Sequence, residues 1–208
     1  MKFRTGLLVI ILGSLLQGCL PLLATGVVSG GLAVADRRSV GAQADDEGIE
    51  WKAENRVSKR FPAAHINVVS YNRKVLVTGE AADESTVLEI GQIVGRVENV
   101  VSLVNEVRVG SPSELRSRAN DSYLTSKTKA RFIDAAKFPV NRVKVFTEAG
   151  TVFLLGVVTQ GEANAAVETA RTTGGVLKVV NVMEIISDAE ARRIDAAVGA
   201  SASSGSAK

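Results

Sequence analysis

Two stretches decide the fold: residues 66–79, INVVSYNRKVLVTG, and residues 143–156, VKVFTEAGTVFLLG. Ile66 and Val68 match Val143 and Val145, Val75 and Val77 match Val152 and Leu154, and Gly79 matches Gly156. Between the apolar runs lie Asn72-Arg73 in one stretch and Ala149-Gly150 in the other. Alternating apolar residues on both sides of a short turn predict a β-hairpin. The chain therefore holds two copies of one unit.

Working outward, each hairpin is flanked by helical patterns. After it, Val87, Ile90, Gly91 and Val94 share one face in the first copy, and Ala163, Ala166, Val167 and Ala170 in the second. These helices end near Gly95 and near Gly174-Gly175. A third β-rich run follows, Val97–Val109 and Val176–Ile186. Before each hairpin, Ile49, Ala53, Val57 and Phe61, and likewise Leu124, Thr128, Phe132 and Ala136, recur every fourth residue. The unit is α-β-β-α-β, an α+β class in which two helices cover a three-stranded mixed sheet. The units are placed at 45–109 and 120–186, joined by a linker at 110–119 that contains GSPSELRSR. Units this small are marginal alone, so the two are expected to pack together. Residues 187–208 begin charged and end in SASSGSAK, which predicts a disordered tail.

Composition narrows the chemistry. The 208 residues contain one Cys and one His, so neither a disulfide framework nor a multi-thiolate or two-histidine metal site is available. The formal charge is +3, but Lys2 and Arg4 belong to the extreme N-terminus, and without them 23 basic residues face 22 acidic ones. A near-neutral body does not predict nucleic-acid binding. There is no phosphate loop, nucleophile elbow or zinc spacing. The expectation is no catalytic residue, no metal, no cofactor and no enzyme.

The N-terminus carries an address. Lys2 and Arg4, then an apolar run from Leu7 to Leu16, are features of a signal peptide, assigned to 1–18. The following Gln17-Gly18-Cys19 resembles a bacterial lipobox, in which the cysteine thiol receives a diacylglycerol and the new N-terminus is acylated, with palmitate among the expected chains. Several acyl chains give stable membrane attachment where one does not. Residues 19–44 are then a lipidated tether. Leu20 stands where Asp would resemble an inner-membrane retention signal, which favours the outer membrane. A spanning helix from Thr5 to Ala35 is the rival reading; Pro21 and Gly30-Gly31 weigh against it.

The α-β-β-α-β unit with its glycine-ended hairpin resembles the BON domain (bacterial OsmY and nodulation). Two of them behind a lipobox resemble the dual BON-domain lipoproteins of the outer membrane. The resemblance rests on Leu15-Leu16-Gln17-Gly18-Cys19, on Arg38-Ser39-Val40-Gly41 with Gln43 and Asp45-Asp46, on Ala64 to Gly79, on Asn120-Asp121-Ser122-Tyr123-Leu124-Thr125, and on Val143 to Gly156. It implies a non-enzymatic protein on the periplasmic face of the outer membrane. Such a protein binds anionic phospholipids such as phosphatidylglycerol or cardiolipin, supports envelope integrity and collects at division sites. It also implies that the lipid surface is the first helix of the second domain, here Tyr123, Leu124, Lys127, Thr128 and Arg131. Tyr123 stands where the family carries tryptophan.

Read by themselves, Asp121 or Ser122 would cap a helix beginning at Tyr123. Tyr123, Lys127 and Arg131 then lie along one side, with Lys129 and Lys137 adding charge, while Leu124, Thr128, Phe132 and Ala136 turn inward. The plain alternative is a solvated amphipathic helix. A second functional reading is a protein-interaction scaffold that contacts outer-membrane assembly proteins. Of the remaining residues, His65 is expected at the surface, the run Asp45, Asp46, Glu47 and Glu50 as a solvated helix start, Trp51 in the core, and Gly79 and Gly156 in a strand-end backbone role.

Overall fold

The computed structural model describes residues 36–205, with side chains to residue 198. The signal peptide and Cys19 lie outside the described residues. Asn72 and Arg73 take positive φ (53° and 63°), as do Ala149 and Gly150 (47° and 72°). A left-handed pair suits the twist of two strands joined by a two-residue turn. Both quoted stretches fold accordingly as antiparallel hairpins: β1 (His65–Tyr71) with β2 (Lys74–Ala81), and β4 (Val143–Glu148) with β5 (Thr151–Thr159). Helices α2 (Glu84–Gly95) and α4 (Gln160–Arg171) carry the chain back, capped by Asp83 and by a Thr159–Glu162 capping box. β3 (Ser102–Val109) then joins parallel to β2. In the second unit β6 (Lys178–Asn181) and β7 (Glu184–Ile186) both run parallel to β5. The leading helices are α1 (Val40–Arg60) and α3 (Leu115–Ala135). The expected α-β-β-α-β unit is present twice.

The glycine that ends each hairpin has a physical cause. A Cβ on Gly79 would collide with the carbonyl oxygen of His65, and one on Gly156 with that of Arg142. Gly79 also sits at φ 119°, where a side chain is strained.

Each unit has a helix-side core: Ile49, Ala53, Val57, Val75, Val77 and Ile90 in the first, and Phe132, Val145, Val152, Leu154, Ala163 and Ala166 in the second. The opposite sheet faces meet each other. Val69, Tyr71 and Leu76 pack with Phe153, Leu155, Val157 and Val182 in a third core. The order of layers is helices, sheet, sheet, helices. With both faces buried, β2 and β5 carry consecutive apolar residues rather than alternation.

Four expectations are corrected. The linker 110–119 is helical from Leu115 onward, so Asp121 and Ser122 lie within α3 and not at its cap. The end of the tether belongs to the fold, because Ser39 caps α1 at Val40. The expected disordered tail is a helix, α5 (Asp188–Gly205). Its Ala191 is buried and its Asp195 reaches Arg37 and Arg142, which fasten its first two turns to the second unit. Trp51 stands on the outer side of α1, 67% exposed, because Ile49, Ala53 and Val57 take the inward positions.

Arg37 closes the assembly. Its guanidinium donates to Glu162 (2.6 Å), to Asp195 (2.9 and 3.1 Å) and to the Val157 carbonyl (3.1 Å). Arg142 donates to the same two carboxylates. Two arginines and two acids thus join the approach to α1, the start of α4 and α5. Burial pushes the Glu162 carboxyl up, but hydrogen bonds from Arg37, Thr159 and Arg142 outweigh it and hold the group below its ordinary value.

Candidate functional site

α3 lies on its sheet through Leu124, Thr128 and Phe132. Of the five residues expected to bind lipid, Leu124 (2% exposed) and Thr128 (0%) are therefore excluded from any surface. Helical spacing turns them to the core. Tyr123 is 61% exposed, and Lys127 and Arg131 follow it on the outer side. Lys127 Nζ lies 5.7 Å from the Tyr123 ring centroid and donates to the Gly174 carbonyl at 2.8 Å. Arg131 donates to Thr173 Oγ1 at 3.3 Å. Both cations lean over the loop between α4 and β6, and both of these partners are neutral oxygens. Lys129 and Lys137 are exposed as well, with exposed Ile133 between them.

What fixes α3 is not a capping bond. Asp121 is buried and accepts from the Ala149 and Gly150 amides at 2.9 and 2.8 Å. A carboxylate bonded to two turn amides locks helix to hairpin. Asp46 does the same in the first unit, accepting from the Asn72 and Arg73 amides at 2.8 and 2.7 Å and from Ser70 Oγ at 2.6 Å. The acidic run is therefore not simply solvated: Asp45 holds Arg73 and Asn99, and Glu50 holds the Ser70 amide and Lys144. The available signal was the recurrence of one aspartate ahead of each inward stripe.

Those aspartates align the two copies. Two residues on, the first copy has Gly48 and the second Tyr123; six on, Lys52 and Lys127; ten on, Arg56 and Arg131. The positive-φ turn before the last strand run holds Asn99 in one copy and Gly175 in the other, so Glu98 stands where the second copy has Gly174. Lys52 forms an ion pair with Glu98, whereas Lys127 meets only a carbonyl there. The same basic face is thus built twice. In the first copy Lys52 is neutralised by Glu98, Arg56 donates to the Arg96 carbonyl, and Gly48 stands at the head; in the second both cations meet neutral oxygens and an aromatic leads.

A polar cluster lies between the units. His65, expected at the surface, is partly buried with Nδ1 3.3 Å from Glu80 Oε2. Arg108 and the Ser113 amide also donate to Glu80, and Asn67 donates to Glu148 across the interface at 2.7 Å. His65, Glu80 and Glu148 place three ligand-type atoms within 4.8 Å of one another. This is the nearest approach to a metal set among the described residues, and both carboxylates already accept protein hydrogen bonds. His65, Asn67 and Glu148 also line a cleft of about 410 Å³ beside α3. Burial pushes the Glu148 carboxyl up, opposed by His65 and reinforced by the charge of Glu80. A raised folded value contributes stability in acid that is lost as pH rises through it. Glu148→Gln is therefore expected to raise stability at pH 7 by about 1 kcal/mol, roughly 3 °C in Tm, and to bring no gain at pH 4. Thermal melts at the two pH values check this.

Each unit, α-β-β-α-β with two helices on a mixed sheet and a glycine-ended hairpin, defines a class. The BON domain profile matches residues 45–111 and 120–187. The chain is 36% identical over 188 residues to the outer membrane lipoprotein DolP of Haemophilus influenzae, covering 86% of this chain and 95% of that one. It is also 36% identical over 154 residues to the 21 kDa hemolysin of Actinobacillus pleuropneumoniae (73% and 79% covered). Identity to the osmotically-inducible protein Y of Escherichia coli is 27% over 147 residues (68% and 73%). The chain belongs to the DolP family of dual BON-domain proteins. No helix among the described residues is long and apolar enough to cross a membrane.

Proposed function

We propose that this protein is a non-enzymatic lipoprotein, held on the periplasmic face of the outer membrane by acylated Cys19. Through the outer side of α3 it binds anionic phospholipids, phosphatidylglycerol or cardiolipin, and so supports envelope integrity at division sites. The observation that carries the reading is the contrast between the copies: Lys127 and Arg131 behind an exposed Tyr123, against Lys52 paired with Glu98 behind Gly48. Basic residues contribute about 1 kcal/mol each near an anionic surface. With a tyrosine ring at the interface the sum is roughly 3–5 kcal/mol, a millimolar-class affinity on its own. An anchored domain meets the bilayer at high effective concentration, so a weak patch is occupied. The chain from residue 19 to residue 36 reaches at most about 60 Å, which sets the range of that search.

The test titrates residues 34–208, one compact unit, with vesicles. Binding to phosphatidylglycerol, weakening with salt, and indifference to phosphatidylcholine are expected. Tyr123→Ala with Lys127→Ala should reduce binding about 30-fold, while Lys52→Ala with Arg56→Ala should not. An unchanged Tyr123/Lys127 variant overturns the site.

The scaffold reading has one observation in its favour: exposed Trp51 beside a cleft of about 450 Å³ between α1 and β1. Crosslinking from position 51 in cells that captures one dominant outer-membrane assembly protein, even with α3 neutralised, would favour it.

A further inference from the structure

Leu177, in the loop between α4 and β6, is 81% exposed, yet its backbone is held. Its amide donates to the Gly150 carbonyl at 2.9 Å, and the Val176 amide to the Thr173 carbonyl at 3.1 Å. Gly175, at φ 101°, leaves no room for a Cβ against Leu124, and Leu177 itself covers the α-carbon of Gly150. Lys127 holds the same loop through Gly174. The loop is thus fastened to the β4–β5 turn and to α3 at the level of Tyr123 and Leu124. An apolar side chain is held out in water on a loop that Lys127, which also lies over the Tyr123 ring, ties to α3.

A single exposed leucine needs no explanation. The combination does: two exposed apolar groups on rigid supports, with Lys127 bonded to the loop of one and stacked on the ring of the other. The chemistry that satisfies all three is a bilayer of anionic phospholipid, with phosphates at the ammonium and the acyl boundary beneath the apolar groups. The first unit supplies the contrast. Val101 is also exposed and its amide is bonded to the Arg73 carbonyl, but it follows Glu98 and Asn99, the partners of Lys52 and Asp45.

We propose that Leu177 enters the bilayer together with Tyr123, so that membrane contact has two prongs bridged by Lys127. This rests on the lipid reading above and adds a second element to it.

The test uses the full lipidated chain in nanodiscs. Leu177→Cys, Tyr123→Cys and Val101→Cys are each labelled with an environment-sensitive dye, and the unsubstituted chain, whose one cysteine is Cys19, is labelled in parallel as the blank. In phosphatidylglycerol the probes at 177 and 123 should blue-shift and be quenched by brominated acyl chains. In phosphatidylcholine they should remain water-like, as the probe at 101 should in both lipids. Unlabelled Leu177→Asp, on residues 34–208, should bind phosphatidylglycerol vesicles about tenfold more weakly with an unchanged melting temperature. A water-like probe at 177 beside a shifted probe at 123 overturns this inference and leaves the α3 reading intact. Water-like probes at both positions overturn both.

Discussion

Glu162→Ala is expected to lose about 4 kcal/mol of stability, measured by denaturant unfolding at pH 7. The substitution leaves the guanidiniums of Arg37 (2% exposed) and Arg142 (10%) with Asp195 as their remaining carboxylate. Breaking a buried pair from one side is severe because the other charge stays desolvated. It also removes the reciprocal half of the α4 capping box, the bond from the Thr159 amide. The pH dependence has a definite sign. Because the folded carboxyl titrates below its ordinary value near 4.5, its contribution is complete above that value and disappears as pH falls through the lower folded one. Wild type and variant should therefore converge in acid. Hydrogen exchange should show α5 opening first in the variant, since Asp195 is the contact it shares with this cluster.

Asp121→Ala is expected to cost about 3 kcal/mol, for a different reason. It leaves the amides of Ala149 and Gly150 without their acceptor in a buried turn. Ala149 is already in the left-handed region at φ 47°, a conformation that disfavours a side chain by about 1–2 kcal/mol. Asp121→Asn, which keeps a carbonyl oxygen in place, should cost about half as much. Asp46→Ala should behave likewise for the first hairpin. Chemical denaturation of the three variants, compared with Ser122→Ala on the exposed side of the same helix, checks the assignment.

The hairpins and all four helices that flank them were legible because the apolar residues that fix them are local and periodic. The side of α3 bearing Tyr123, Lys127 and Arg131 was legible from four-residue spacing. The start of α3 was not, since Arg116, Ser117 and Arg118 belong to no apolar stripe. The consecutive apolar residues of β2 and β5 did carry the sign of a second buried face, though nothing local says that the partner is the other sheet. The role of Asp46 and Asp121 was not legible because an aspartate near a helix start reads as solvated or as a cap; only its reappearance in both copies marks the lock on each hairpin turn. Leu177 could not be found from sequence, because its neighbours Gly150 and Lys127 come from other elements. The Arg37 cluster is the extreme case, with partners 125 and 158 positions away.

Arg37 precedes the first unit in the chain, yet it is gripped by Glu162 and Asp195, beyond the first unit. Its neighbours bind the other unit: Asp36 accepts from the Tyr71 hydroxyl at 3.1 Å and Arg38 pairs with Asp46 at 2.8 Å. Tension arriving along the N-terminal segment is accordingly divided between both units at three successive residues, and neither is drawn away from the other until that clasp opens.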